Sequence, residues 1–366
     1  MRILVIKFRN IGDVLLTAPL VSTLRHAAPD NRVTALVKAG TEAMLEGHPD
    51  LEEVLVYPSR GKGESRFAFF RRQLRFFREL RARRFDLAIT TTEGDRGVIA
   101  AWLSGARCRR GPFRPGKDKL FRRLLLTRAV RPRPGRLHTV MRNLELLPEE
   151  MGPPRTEVQL TVSEADRQLV RTLLSEAGWQ PDRPLVHVHP TSRWFFKCWT
   201  DTAMAAVIDH LIEHLGVQVA LTCGPDKRER AKLDEIMRLC RQHPIDLGGR
   251  LTLKQTAAVS GLARLFFGVD TAPMHMAAAM GTPVVALFGP SGAFDWGPWP
   301  NGWQGDDTPY PSRCGSQSAG PHHVIQQPWS CVPCGEDGCG GSKRSDCLEH
   351  LYPEEVLPVL EAALGK

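Results

Sequence analysis

A chain of 366 residues is too long for one ordinary hydrophobic core and reads as two domains. With 42% hydrophobic and 24% charged residues it has the balance of a soluble globular protein, and no apolar run reaches the roughly 18 residues a membrane-spanning helix needs. The net charge of +9 is uneven: residues 1–150 hold 30 Lys and Arg against 16 Asp and Glu (net +14), and residues 151–366 hold 19 against 24 (net −5). The first half is therefore expected to meet an anion, whether nucleic acid, an anionic membrane surface or a phosphorylated glycolipid.

Residues 2–8 (RILVIKF) read as the first strand. The apolar run stops at Lys7 and Arg9, too short for a signal-peptide core, so the chain is expected in the cytoplasm. Gly12 and Asp13 then form a turn opening a helix. In parallel sheets ligands gather at the carboxyl ends of strands, where this turn must sit. A carboxylate at a helix N-terminus is stabilised as the anion and can accept a proton from a hydroxyl. Read from the turn alone, however, Asp13 is first of all a helix cap. Further strands are expected at residues 32–37, 53–57 and 86–90. Residues 60–84 hold ten Lys and Arg against two Glu. Phe67, Phe70, Leu74 and Phe77 recur there at spacings of three and four, flanked by Phe69, Phe76 and Leu80. The stretch predicts an amphipathic helix with a basic face and an apolar stripe packed partly inward. Residues 107–136 add twelve Lys and Arg against one acid, Asp118.

The Pro-containing stretch 146–159 marks the expected boundary, giving domains over residues 1–155 and 156–350. Beyond it, strands are expected at residues 184–190, 217–224, 263–270 and 282–290. Continuous apolar strands separated by helices predict parallel sheets covered on both faces, so the fold class is α/β with two doubly wound domains. After the strand at 184–190, Thr191 and Ser192 supply hydroxyls and Arg193 and Lys197 supply cations, a combination suited to a diphosphate. The aromatic residues among them, Trp194, Phe195, Phe196 and Trp199, serve partly as core. Asp226, after the next strand, is placed to accept hydrogen bonds from ribose hydroxyls, although alone it is an ordinary loop residue. Residues 268–292 are the strongest signal: a strand ends at Asp270 and a helix of small residues opens at Thr271, Ala272 and Pro273. The N–H groups of that opening form an anion site, with His275 facing the same anion. Residues 297–335, rich in Gly, Pro and Ser, are expected to form a long surface excursion, and residues 351–366 a closing helix.

Nine cysteines in such a chain do not imply disulfides. Four of them, Cys331, Cys334, Cys339 and Cys347, follow the pattern C-x2-C-x4-C-x7-C. The first spacing is a zinc-ligand element and the remainder matches no standard module, so a structural zinc, an iron–sulfur cluster and a plain reduced loop all stay open.

The segments IKFRNIGDVLLTAP, HPTSRWFFKCW, CGPDKRERA and GVDTAPMHMAAAMGTPVVALFGPSG stand in the order and spacing of glycosyltransferase family 9. This chain resembles those ADP-heptose:lipopolysaccharide heptosyltransferases over nearly its whole length, most of all the heptosyltransferase III subgroup. The resemblance implies a GT-B fold, two Rossmann-like domains facing a central cleft. It also implies inverting transfer of L-glycero-D-manno-heptose from ADP-heptose to a hydroxyl of the lipopolysaccharide inner core, with no cofactor needed for catalysis. By position, Asp13 matches the general base and Lys197 the cation on the donor phosphates. Thr191, Ser192, Asp226, Asp270, Thr271, Ala272 and His275 match the donor site, with Ala272 where Gly is common. The stretch from Thr191 to Lys197 is one residue longer than in the first heptosyltransferase, which leaves the separate roles of Ser192 and Arg193 open.

A core-glycolipid acceptor carries phosphates and sits in a membrane. The basic helix is therefore expected to bind it through Arg71, Arg72, Arg75 and Arg78, with peripheral association at the cytoplasmic face of the inner membrane. Other readings are a family 9 transferase with a different acceptor, a basic nucleic-acid-binding protein and a dinucleotide oxidoreductase. The nucleic-acid reading lacks a zinc finger or RNA-binding signature, so no nucleic-acid partner is expected. The oxidoreductase reading lacks a G-x-G-x-x-G after the first strand.

Overall fold

The computed structural model describes residues 1–92 and 94–366. Its chain divides into two compact units, the first of residues 1–135 and 139–161, the second of residues 136–138 and 162–366. The stretch at 146–159 thus ends inside the first unit.

In the first unit, β1 (Arg2–Lys7), β2 (Arg32–Lys38), β3 (Glu53–Tyr57), β4 (Leu87–Thr90), β5 (Cys108–Pro112) and β6 (Arg128–Val130) form one sheet. Its order is β3-β2-β1-β4-β5-β6, with each pairing parallel. β1 and β4 bury both faces, which is why they read as unbroken apolar runs. The crossovers carry α1 (Ile11–Leu15), α2 (Ala18–His26), α3 (Arg66–Ala82), α4 (Asp95–Leu103) and α5 (Leu120–Leu125), and α6 (Thr139–Leu144) packs on α2. Right-handed crossovers place α1 and α2 on one face of the sheet and α3, α4 and α5 on the other, where Leu80, Ala100 and Ala101 meet Leu4, Ile6 and Ala88. Strands β5 and β6 escape the periodicity because they are short and rich in arginine.

The second unit begins with α7 (Glu164–Glu176). It then alternates β7 (Leu185–His189), α8 (Asp201–Glu213), β8 (Gln218–Leu221), α9 (Lys227–Leu239), β9 (Ile245–Asp246), α10 (Leu253–Leu262), β10 (Leu265–Val269), α11 (Ala272–Ala279) and β11 (Val284–Phe288). After α12 (Ala293–Trp296) come β12 (Gln317–Ala319) and β13 (His322–Gln326), then α13 (Asp346–Glu349) and α14 (Pro353–Leu364). The sheet order is β12-β13-β11-β10-β7-β8-β9, parallel except for β12. Apart from that edge strand it repeats the first unit's topology, with β7 and β10 at the point where strand order reverses. There the strands approach closely: a Cβ on Gly268 of β10 would lie 2.6 Å from the His189 carbonyl oxygen of β7. The closing helix α14 buries Val356, Leu360 and Leu364 in the core with Leu211 of α8 and Leu233 of α9.

One expectation is corrected. Residues 297–335 are not a surface excursion: Trp299 and Tyr310 are fully buried, and β13 pairs in parallel with β11. The Gly and Pro residues hid a strand whose own sequence, HHVIQ, mixes polar and apolar residues. Tyr310, under that strand, packs against Phe266 and Phe288, and its hydroxyl donates to the Pro298 carbonyl at 2.7 Å.

Candidate active site

The reversal of strand order in the second unit brings the loop after β7 beside the loop after β10. The Lys197 ammonium donates to the Asp270 carboxylate at 2.5 Å, joining residues 73 apart in sequence. Asp270 is buried. Burial opposes its ionisation, but the charge and hydrogen bond of Lys197, a Ser291 hydrogen bond and nearby His275 outweigh it, holding the carboxyl below its usual range. Lys197 itself stays partly open, with 22% of its side chain exposed, so the cation still reaches solvent.

Directly after Asp270, α11 begins. Thr271 is its N-cap in extended backbone geometry, and the threonine side chain makes no capping hydrogen bond. Pro273 in the first turn lacks an N–H, and Ala272 leaves the approach open. Backbone donors at a helix start without a side-chain cap suit an anion, with His275 buried in the same turn. Asp270, Thr271, Ala272, His275 and Lys197 are therefore assembled at one place.

Thr191 and Ser192 are also buried at the end of β7, and their hydroxyls are engaged. The Thr191 hydroxyl donates to Glu229 at 2.9 Å, and the Ser192 hydroxyl accepts the Trp194 N–H at 3.2 Å. Glu229 also accepts the Gly224 N–H at 3.3 Å, and a Cβ on Gly224 would lie 2.7 Å from the carboxylate. Glu229 was absent from the expected site. Its signal was there: 229, 233 and 236 form the buried face of α9, so a glutamate occupies a core-facing position beside Leu233 and Ile236. Asp226, the acid that was expected, is the exposed N-cap of α9 and accepts the Arg228 N–H at 2.8 Å. Arg228 in turn lies over the Phe195 ring at 4.5 Å.

A cavity of about 380 Å³ opens beside Lys197 and Ser291. Phe294, Trp296 and Asp295 line one side, and Glu336 and Asp337 of the cysteine-rich loop another. Aromatic faces with carboxylates suit a ligand rich in hydroxyls.

In the first unit, Asp13 is buried in the first turn of α1. Its carboxylate accepts the Asn10 N–H at 3.3 Å and lies 3.7 Å from both the Lys7 ammonium and the Arg9 guanidinium. Asp13 therefore caps its helix and also stands between two cations, an arrangement that capping alone does not require.

Cys331, Cys334 and Cys339 are exposed and Cys347 is buried, and among the described residues no three His, Cys, Asp or Glu are arranged to hold a metal ion. Burial, reinforced by the neighbouring Cys339, Cys334 and Cys331, pushes the Cys347 thiol up to about 11. A structural metal at this loop is therefore without support. On α3, Leu80 is buried and Phe76 and Phe77 pack against the core, while Phe67, Phe70 and Leu74 are exposed, so the apolar residues pack partly inward, as expected. Arg71, Arg72, Arg75 and Arg78 line a surface groove of about 810 Å³. Arg72 is tied down, donating to Glu64 at 2.7 and 3.1 Å and to the Ser59 carbonyl at 2.7 Å.

Residues 73–304 match the family model described as glycosyltransferase family 9 (heptosyltransferase). Lipopolysaccharide heptosyltransferase 3 of Escherichia coli is 33% identical over 310 residues, 82% of this chain and 88% of that protein. Two solved structures share the fold. One is a family 9 glycosyl transferase from Veillonella parvula, with a TM-score of 0.80 at 22% identity covering 99% of this chain and 97% of that one. The other is E. coli ADP-heptose lps heptosyltransferase II, with a TM-score of 0.74 at 21% identity covering 100% and 98%. The two Rossmann-like units are those of the GT-B fold. The chain belongs to glycosyltransferase family 9 and is a glycosyltransferase.

Proposed function

We propose that this chain transfers heptose from ADP-heptose to a hydroxyl of the lipopolysaccharide inner core, with inversion, as a heptosyltransferase of the third kind. The observation that carries it is the Lys197–Asp270 pair at the uncapped start of α11: fixed charge and backbone donors stand where a diphosphate would bind. E. coli heptosyltransferase 3 and the ADP-heptose heptosyltransferase II fold support the sugar and the nucleotide.

An acceptor hydroxyl is a poor nucleophile, so Asp13 takes its proton as the new bond to the anomeric carbon forms. Lys7 and Arg9, each 3.7 Å away, hold that carboxylate in position. The bond from the anomeric carbon to the diphosphate oxygen breaks and ADP leaves. Lys197 and the N–H groups over residues 271–275 bind the charge that grows on the diphosphate, more strongly in the transition state than before it. Asp270 holds Lys197 in place. Thr191 and Ser192 shape the donor loop, and Glu229, rather than the solvent-facing cap Asp226, takes the ribose hydroxyls.

The acceptor's phosphates bind Arg71, Arg75 and Arg78 along α3, with Arg72 bracing the helix start, and the protein associates peripherally with the cytoplasmic face of the inner membrane. No helix among the described residues is long and apolar enough to cross a membrane.

Asp13→Asn tests the mechanism. Turnover should fall by two or more orders of magnitude, about what one general base contributes, while ADP affinity and fold stay unchanged. Turnover within a few-fold of the unaltered protein removes Asp13 as the base.

A further inference from the structure

The helices α3, α4 and α5 cover one face of the first unit's sheet, α4 packing against both others. Their outer surface breaks the usual pattern of a globular protein. The helix α5 is inside out: Arg122 is buried, paired with Asp118 at 2.5 Å, while Leu120 and Leu124 are 71% and 74% exposed. The two leucines are four residues apart, one above the other on the same side. On α4, Ile99 and Trp102 are exposed one turn apart, and α3 exposes Phe67, Phe70 and Leu74. Of twelve exposed large apolar side chains among the described residues, seven lie on these three helices, so the clustering is not the scatter of single apolar residues common on surfaces.

The charges around them select the occupant. Lys117, Lys119 and Arg123 are exposed beside the leucines, and Lys119 also pairs with Asp95 at the start of α4, at 3.0 Å, fixing α5 against its neighbour. Apolar side chains projecting from a cationic face fit an anionic bilayer, which offers headgroup charge and hydrocarbon together. A second copy would bring like charge against like, and a nucleic acid offers nothing to exposed leucines.

We infer that the outer face of α4 and α5, led by Leu120 and Leu124, inserts into the boundary between headgroups and acyl chains of an anionic membrane. This rests on the membrane reading of α3 and adds an apolar anchor to its electrostatic contact. Electrostatic attachment alone weakens steeply with salt, whereas an inserted leucine does not. Each inserted leucine is worth roughly tenfold in partitioning.

The test is sedimentation with vesicles of phosphatidylglycerol and phosphatidylcholine, at low salt and at about 0.5 M salt, where charges are screened beyond roughly 4 Å. The unaltered protein should bind at low salt and keep a bound fraction at high salt. The double variant Leu120→Ser, Leu124→Ser should lose that fraction and bind about tenfold or more weakly at low salt, with unchanged circular dichroism. Leu120→Phe with Leu124→Phe should bind at least as tightly as the unaltered protein. Equal binding of the serine variant and the unaltered protein at both salts overturns the apolar anchor and leaves the electrostatic reading standing. Failure of the unaltered protein to bind at low salt overturns both. Concentration-dependent self-association that the serine variant loses, without vesicle binding, reassigns the face to a second copy and also overturns the inference.

Discussion

At the scale of single residues, charge placement in the second unit has two consequences for pH. The Asp270 carboxyl is held below its usual range, so its contribution to stability is present above the ordinary carboxylate range and disappears as pH falls through its lowered value. Thermal midpoints measured down to acid pH should fall in that window for the unaltered protein and less steeply for Asp270→Asn. The second consequence involves a buried chain of hydrogen bonds. Ser260 donates to the Thr256 carbonyl at 3.4 Å, so it accepts from His187 Nδ1 at 2.8 Å. His187 Nε2 then accepts the Thr222 hydroxyl at 2.7 Å, and Thr222 accepts from His189 Nδ1 at 2.8 Å. This chain requires a neutral His187, whose Nε2 is the acceptor. Burial pushes His189 down to about 3. A histidine whose folded value is depressed binds its proton in the unfolded chain first, so stability declines as pH falls from about 6.5 toward about 3. His189→Phe should flatten the thermal midpoint across that window, and an unchanged slope would show that His189 does not carry it. For the donor, Glu229→Ala should weaken ADP binding in calorimetry by tenfold or more, as expected when a charged hydrogen-bonding group is lost, while Asp226→Ala costs only a helix cap, about 1 kcal/mol of stability. Equal losses of ADP affinity would return the ribose to Asp226.

At the scale of elements, the close approach of β7 and β10 makes a sharp prediction. Gly268→Ala forces the strands apart against the His189 carbonyl, and should cost about 1–3 kcal/mol of stability and reduce ADP affinity with it, because both loops of the donor site hang from those strands. A variant as stable as the parent would mean that the sheet relaxes freely there. On α3, replacing Arg71, Arg75 and Arg78 with Gln should raise the apparent KM for a glycolipid acceptor and leave the KM for ADP-heptose unchanged. Normal acceptor use by that variant, or a raised KM for ADP-heptose, would take the acceptor off the helix. The elements differ in how readable they were. β1, β4 and β10 are buried on both faces and announce themselves as apolar runs. β5 and β13 sit in the sheets with arginines, histidines and a proline in them, and only their neighbours make them strands. Periodicity found α3 and a stripe packed partly inward, but not which of its residues turn out. Spacing of apolar residues fixes a face, not which face the core takes, and α3 exposes one of its two apolar ridges.

At the scale of the whole molecule, one topology is used twice, and the residues of chemical interest follow it. Asp13 comes after β1, Lys197 after β7 and Asp270 after β10, each at the carboxyl end of a strand beside a reversal of strand order. This placement was legible from sequence because strand, turn and small-residue helix start are local signals. The Lys197–Asp270 contact, the buried Glu229 and the outward leucines of α5 were not, since they depend on which segments the sheet order and the packing bring together. The positive charge of the first half likewise takes on meaning from the helices that display it. The proposed donor site for ADP-heptose lies in the second unit and serves heptosyl transfer. The most direct measurement is mass spectrometry of a heptose-truncated core glycolipid incubated with ADP-heptose and the purified protein. The unaltered protein should add one heptose residue per acceptor with release of one ADP, and Lys197→Ala should slow that addition while weakening ADP binding. An acceptor left unmodified across core truncations, or a Lys197→Ala variant equal to its parent in rate and ADP affinity, would contradict it.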